Sequence, residues 1–152
     1  MEYLMDLLNN QILVATAAAW FVAQLSKMIY EMVTGKFKTS RLTGGGGMPS
    51  SHSATVVGLA TATGFACGLD SFAFAMAFFF AFVVIYDARG VRLTTGKEAR
   101  ALNKINAERK AAGKDEILDE ELDEMMGHTM PEIIAGVVIG IVVASIVSIL
   151  YK

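Results

Sequence analysis

Only two histidines occur in the chain, His52 in G-G-M-P-S-S-H-S and His128 in G-H-T-M-P-E, and each stands just before or at the start of an apolar run. An imidazole can serve near neutral pH as a nucleophile or as a general acid. Around the pair the sequence supplies cations, Lys36, Lys38, Arg41, Arg89 and Arg92, a run of glycines at 44–47, and the hydroxyls of Ser50 and Ser51. Exposed backbone amides and helix N-termini attract anions. Two histidines, several cations and the amides of Gly46 and Gly47 therefore suit a phosphate group. Each feature also has a structural explanation: Ser50 or Ser51 as an N-cap, the glycines as a linker, and Thr129 with Glu132 as a capping box that has proline in the first turn. Their convergence at one membrane depth favours a site. There is no Gly-Lys-Ser nucleotide loop, and neither Asp87 nor the scattered acidic residues have metal-ligand spacing, so neither a metal nor another cofactor is expected.

The elements that must position these groups are membrane helices. In 152 residues, 54% are hydrophobic and 18% charged, which is the profile of a chain that wants lipid. Four charge-free or nearly charge-free stretches, 7–26, 53–69, 71–86 and 133–151, approach the roughly 20 residues that a spanning helix needs. The first is expected to end near Lys27 and Glu31, and Asp70 marks the turn between the second and third. The fold expected is all-α, one membrane domain over 1–152 with four transmembrane helices and a polar helical connection. Twelve of the 13 Lys and Arg residues fall between Lys27 and Lys114. The positive-inside rule then puts both basic connections in the cytoplasm and both termini outside.

Within the second connection, a capping box at 95–98 predicts a helix that stops near Gly113. Residues 115–126 then read as a second, acidic helix ended by Gly127. Small residues recur at four-residue spacing, Ala54/Gly58/Ala62/Ala66 and Gly136/Gly140/Ala144, and allow helices to approach closely. Cys67, the sole cysteine, reads as packing. The net charge of −2 gives no reason to expect a nucleic-acid partner.

The motifs GGMPSSHSATVVGLATATG, YDARGVR and GHTMPEIIAG resemble divergent relatives of the type-2 phosphatidic acid phosphatases, which are similar to vanadium-dependent haloperoxidases. Pro49-Ser50-Ser51-His52 resembles that superfamily's Pro-Ser-Gly-His, and His128 with Glu132 resembles its His-x-x-x-Asp. The resemblance implies a phosphohistidine mechanism in which His128 is the nucleophile, Glu132 its orienting carboxylate and His52 the acid. The superfamily's arginine six residues before the nucleophile would fall at Leu122, and its Lys-x6-Arg-Pro motif has no match. Arg41, Arg89 or Arg92 would have to substitute. The expected substrate is a lipid or polyprenyl phosphate monoester, handled at the cytoplasmic face of a bacterial plasma membrane by a chain that could form homo-oligomers. Two other functions remain open: non-catalytic binding of an anionic lipid or phosphate, and a small transport subunit.

Overall fold

A computed structural model describes residues 2–35 and 46–151. Lys36, Lys38 and Arg41 lie outside the described residues, as do Gly44 and Gly45. Six helices are described and no strand among them: α1 (Glu2–Asn9), α2 (Gln11–Val33), α3 (Ser51–Cys67), α4 (Phe72–Arg89), α5 (Val91–Ala111) and α6 (Met130–Leu150). Among the described residues, three helices are long and apolar enough to cross a membrane: Gln11–Val33, Phe72–Ala111 (α4 running on into α5) and Met130–Leu150. The 17 residues of α3 carry no charge.

The first apolar stretch does not end where its charges begin. Asn10 breaks the chain and caps α2, its side-chain oxygen accepting from the Leu13 N–H at 3.1 Å. From there α2 continues to Val33 and takes Lys27 and Glu31 with it, both buried. The expectation that the first span carries no charge is therefore corrected. Both side chains lie on the helix's inward stripe with Ala15, Ala19 and Ala23, so the bundle itself shields them from lipid.

Helices α2, α3 and α6 pack on one another, and α4 lies against α3. The contact between α3 and α6 is made by the small-residue stripes. A Cβ added at Gly140 would come within 2.7 Å of the Ala54 carbonyl oxygen and 3.0 Å of the Gly58 nitrogen. One added at Gly136 would collide with the Ser50 carbonyl, and one at Gly58 would lie 2.8 Å from the Ala19 Cβ. Beneath these contacts Ala15, Ala62 and Ala144 form a core with no exposed surface. Without large side chains to interdigitate, such a core is held by the van der Waals contact of close backbones. Ala66, the last member of the α3 stripe, is exposed and takes no part.

The second connection departs from expectation at both ends. α5 begins at Val91, after a bend at Gly90, and Thr95 sits inside it with its hydroxyl donating back to the Val91 carbonyl at 3.0 Å. It caps nothing. The expected acidic helix over 115–126 is absent, and the segment runs back along α5 as a non-helical strap. Two facts explain this. Asp115, Asp119 and Asp123, and likewise Glu116, Glu120 and Glu124, would stand at i,i+4 spacing on a helix, where like charges repel. Side-chain amides meanwhile take over the backbone's hydrogen bonds. Asn106 Oδ1 accepts from the Ile117 and Leu118 amides at 2.7 and 3.2 Å. Asn103 accepts from Leu122 N–H at 3.0 Å and donates to its carbonyl at 2.9 Å. Gly113, at φ 68, does follow the end of α5 as expected.

The stripe contact has a direct test in thermal unfolding of the detergent-solubilised protein. Gly140→Val should destabilise the bundle by about 1–3 kcal/mol or more, because the new atoms meet backbone that cannot move aside. Ala66→Val, placed on an exposed position, should stay within about 0.5 kcal/mol of the parent. Equal melting temperatures for the two variants would show that the stripes do not set the helix spacing.

Candidate active site

α3 and α6 both begin at the same end of the bundle, and their first turns are tied together. The Ser50 N–H donates to the Glu132 carbonyl at 3.0 Å. Ser50 caps α3, accepting from the Ser53 N–H at 3.2 Å and the Ser53 hydroxyl at 3.0 Å. Thr129 and Glu132 form the expected capping box on α6. His52 stands two residues beyond Ser50, and His128 four before Glu132, so this tie brings the two imidazoles into contact. His52 Nδ1 and His128 Nε2 are 3.4 Å apart, with ring centroids 5.6 Å apart and planes at 61°.

His128 is delivered by the strap. Its N–H donates to the Ala88 carbonyl at the end of α4 at 3.0 Å. The preceding Gly127, at φ 79, lies so close to the Leu93 backbone that no side chain would fit. Gly96 lets the strap press onto α5, a Cβ there coming 2.9 Å from the carbonyl oxygens of both Glu124 and Met126. His128 is 2% exposed. Burial pushes its pKa below the usual imidazole value, with His52 and Lys27 adding to the effect and the Glu132 carboxylate opposing it. A neutral ring follows at physiological pH, with a lone pair available on one nitrogen. Glu132 Oε2 lies 3.5 Å from His128 Nδ1 and is itself held by the Thr129 N–H at 2.8 Å. No hydrogen bond closes onto the buried Nδ1; a shift of a few tenths of an ångström toward Glu132 would make one.

The pair opens onto a cavity of about 710 Å³. One end is polar, with Ser51, His52, Gln24, Lys27, Arg92 and Asp123, and the other is apolar, with Trp20, Val56, Phe80 and Val84. Arg92 is half exposed and bonds Asp87 through Nε at 3.0 Å. Ser51 donates to the Gln24 side-chain oxygen at 2.6 Å. Asp123 turns a carboxylate oxygen onto its own strap, accepting from Met125 N–H at 2.9 Å.

Of the residues singled out in the sequence, His52, His128, Ser51 and Arg92 line this cavity, and Glu132 stands behind His128. Ser50 and Arg89 do not. Ser50 is fully buried with its hydroxyl engaged in the cap, and Arg89 is exposed at the end of α4. Gly46 and Gly47 pack closely against the elements around them. A Cβ on Gly46 would meet the Met125 carbonyl at 2.6 Å, and one on Gly47, at φ 101, would meet Lys27 Cε at 2.9 Å. Sequence reasoning missed Trp20, Gln24 and Lys27. Their i, i+4, i+7 spacing was visible, but a lysine at the end of an apolar run reads as the end of a span.

His128 titration is open to measurement, since two histidines make an NMR pH titration simple to assign. The ring should titrate below 6.5. Because Glu132 raises the value, Glu132→Gln should lower the midpoint further. A midpoint at or above 6.5 in the parent would contradict the burial seen here.

Comparison with known proteins adds three findings. The family described as "Divergent PAP2 family" matches residues 8–143. The uncharacterized membrane protein YuiD of Bacillus subtilis (strain 168) is 43% identical over 102 residues, 66% of this chain, and the match spans 65% of that protein's length. No solved structure matches.

Proposed function

The chain belongs to the divergent PAP2 family, and from that premise we propose that it is a membrane phosphomonoesterase acting on a lipid or polyprenyl phosphate. Family membership and three apolar helices support a bacterial, phosphatase-like integral membrane protein. The observation that carries the finer reading is the 3.4 Å approach of His52 Nδ1 and His128 Nε2 at the polar end of a half-apolar cavity.

In this reading His128 Nε2 attacks phosphorus, the bond to the leaving oxygen breaks, and His52 supplies the proton that makes the leaving group an alcohol. Glu132 takes up the charge that develops on the His128 ring. Water then attacks the phosphohistidine with His52 as base, which releases inorganic phosphate and restores both rings. In the free protein the rings contact each other directly. The substrate's phosphoryl group would displace His52, which is half-buried on the first turn of α3. No metal is needed, because the cations of the cavity offset charge on the transferred group.

α3 is the fourth span in this account. Its 17 charge-free residues reach about 26 Å at 1.5 Å per residue, and α2, α4 and α6 surround it. With four spans, the basic connections share the cytoplasmic side. A second reading, binding of a phosphate without turnover, draws on the absence of a closed bond between Glu132 and His128 Nδ1.

Kinetics separates the readings. Purified protein should release phosphate from a short-chain phosphatidate, and His128→Ala should abolish release from every substrate. His52→Ala should lose about 10²–10⁴-fold on that alkyl ester and far less on an aryl phosphate, whose leaving group needs no proton. Near-normal activity in His128→Ala would remove the nucleophile assignment; a wild type that binds phosphatidate without hydrolysing it would leave the binding reading in its place.

Sidedness is tested separately. In a Cys67→Ser background, Lys104→Cys should react with an impermeant thiol reagent only after cells are opened. Labelling on intact cells would place the site outside.

A further inference from the structure

Trp20, Gln24 and Lys27 of α2 form one wall of the cavity. At i, i+4 and i+7 they stack on a single helical face, about one turn apart. Lys27 is only 7% exposed, although α2 is one of the helices able to cross a membrane. A charge there is costly and is kept where opposite charge meets it. Glu31, one turn further on, is 5% exposed. The loop backbone at Gly47 closes over both, a Cβ there falling 2.9 Å from Lys27 Cε and 3.1 Å from Glu31 Oε1. The ammonium is thus built into the cavity wall that the histidines also line, whereas Arg92 is half exposed. Gln24 accepts the Ser51 hydroxyl at 2.6 Å through its oxygen, which leaves its amide N–H groups as donors for an occupant.

We propose that Lys27 and Gln24 are the phosphate-binding pair of this cavity, so that the cation comes from the first membrane helix and not from a surface loop. Trp20, one turn deeper, stands with Phe80 and Val84 of α4 where the ligand's hydrocarbon leaves the site between α2 and α4. This inference rests on the phosphate reading above, and its opposing charge is Asp123, which also lines the cavity and is turned onto the Met125 amide.

Trp20 is the only tryptophan, so its emission reports occupancy without a label. The detergent-solubilised full chain is titrated with dioctanoyl phosphatidate, dioctanoyl phosphatidylcholine and inorganic phosphate. Phosphatidate should change the emission saturably and phosphatidylcholine should not. Lys27→Met and Gln24→Leu should each raise the phosphatidate Kd at least tenfold, Lys27→Arg should retain binding, and Lys114→Ala should leave it unchanged. Should Lys27→Met fail to fold, Lys27→Gln carries the same expectation beside Gln24→Leu. Phosphatidate binding that is equally tight in the neutral Lys27 variant and in Gln24→Leu would overturn this inference and leave the proposed function standing. Inorganic phosphate binding as tightly as phosphatidate would remove the hydrocarbon path and assign the site to the free anion. A wild type that binds neither phosphate compound would remove this inference and the function together.

Discussion

One hydrogen bond organises the functional end of this molecule: the Ser50 N–H donating to the Glu132 carbonyl. It joins the N-cap of α3 to the first turn of α6, and it can form only because the helices below it touch at backbone distance. Gly136 and Gly140 on α6 lie against Ser50, Ala54 and Gly58 on α3 with no room for a Cβ. In lipid there is no hydrophobic drive to bring two apolar helices together, so shape at this contact has to do it. Once the helix starts are level, His52 and His128 have nowhere to be but opposite each other. The catalytic proposal therefore depends on two glycines that lie outside the cavity.

The strap adds the second constraint. It is held by Asn103 and Asn106, whose amides satisfy backbone groups that no helix or strand serves, and it is seated by Gly96 and Gly127. Three positions on one face of α5, Gly96, Asn103 and Asn106, together with Gly127 of the strap thus decide where His128 goes. Burial then does the chemical work of keeping its ring neutral, with the Glu132 carboxylate close enough to answer a charge once one develops.

What the sequence disclosed follows from how local each signal was. Both histidines, the capping box at Thr129 and Glu132, the N-cap at Ser50 and the small-residue stripes are short-range patterns, and the structure has them all apart from Ala66 at the end of the α3 stripe. Lys27 and Glu31 were hidden because charge is the cue for where a span stops, and only tertiary packing shows that α2 carries them onward inside the bundle. The acidic segment misled for the opposite reason: a glycine stop at Gly127 suggests a helix before it, while its like charges and the asparagine side chains of α5 favour an extended strap. The glycines at 46 and 47 read either as a source of anion-binding amides or as a linker, and their tight contacts with Met125 and Lys27 are a packing role that no composition could have revealed.

In the proposed reaction His128 carries the phosphoryl group. The most direct test is to incubate the purified protein with a phosphatidate labelled with ³²P in the headgroup, quench in alkali, where phosphohistidine survives, and map the labelled peptide. Label is expected on the peptide that contains His128, lost on acid treatment and absent from His128→Ala. Release of labelled phosphate by the wild type with no trapped label at any point of the time course, or label on a different residue, would contradict it.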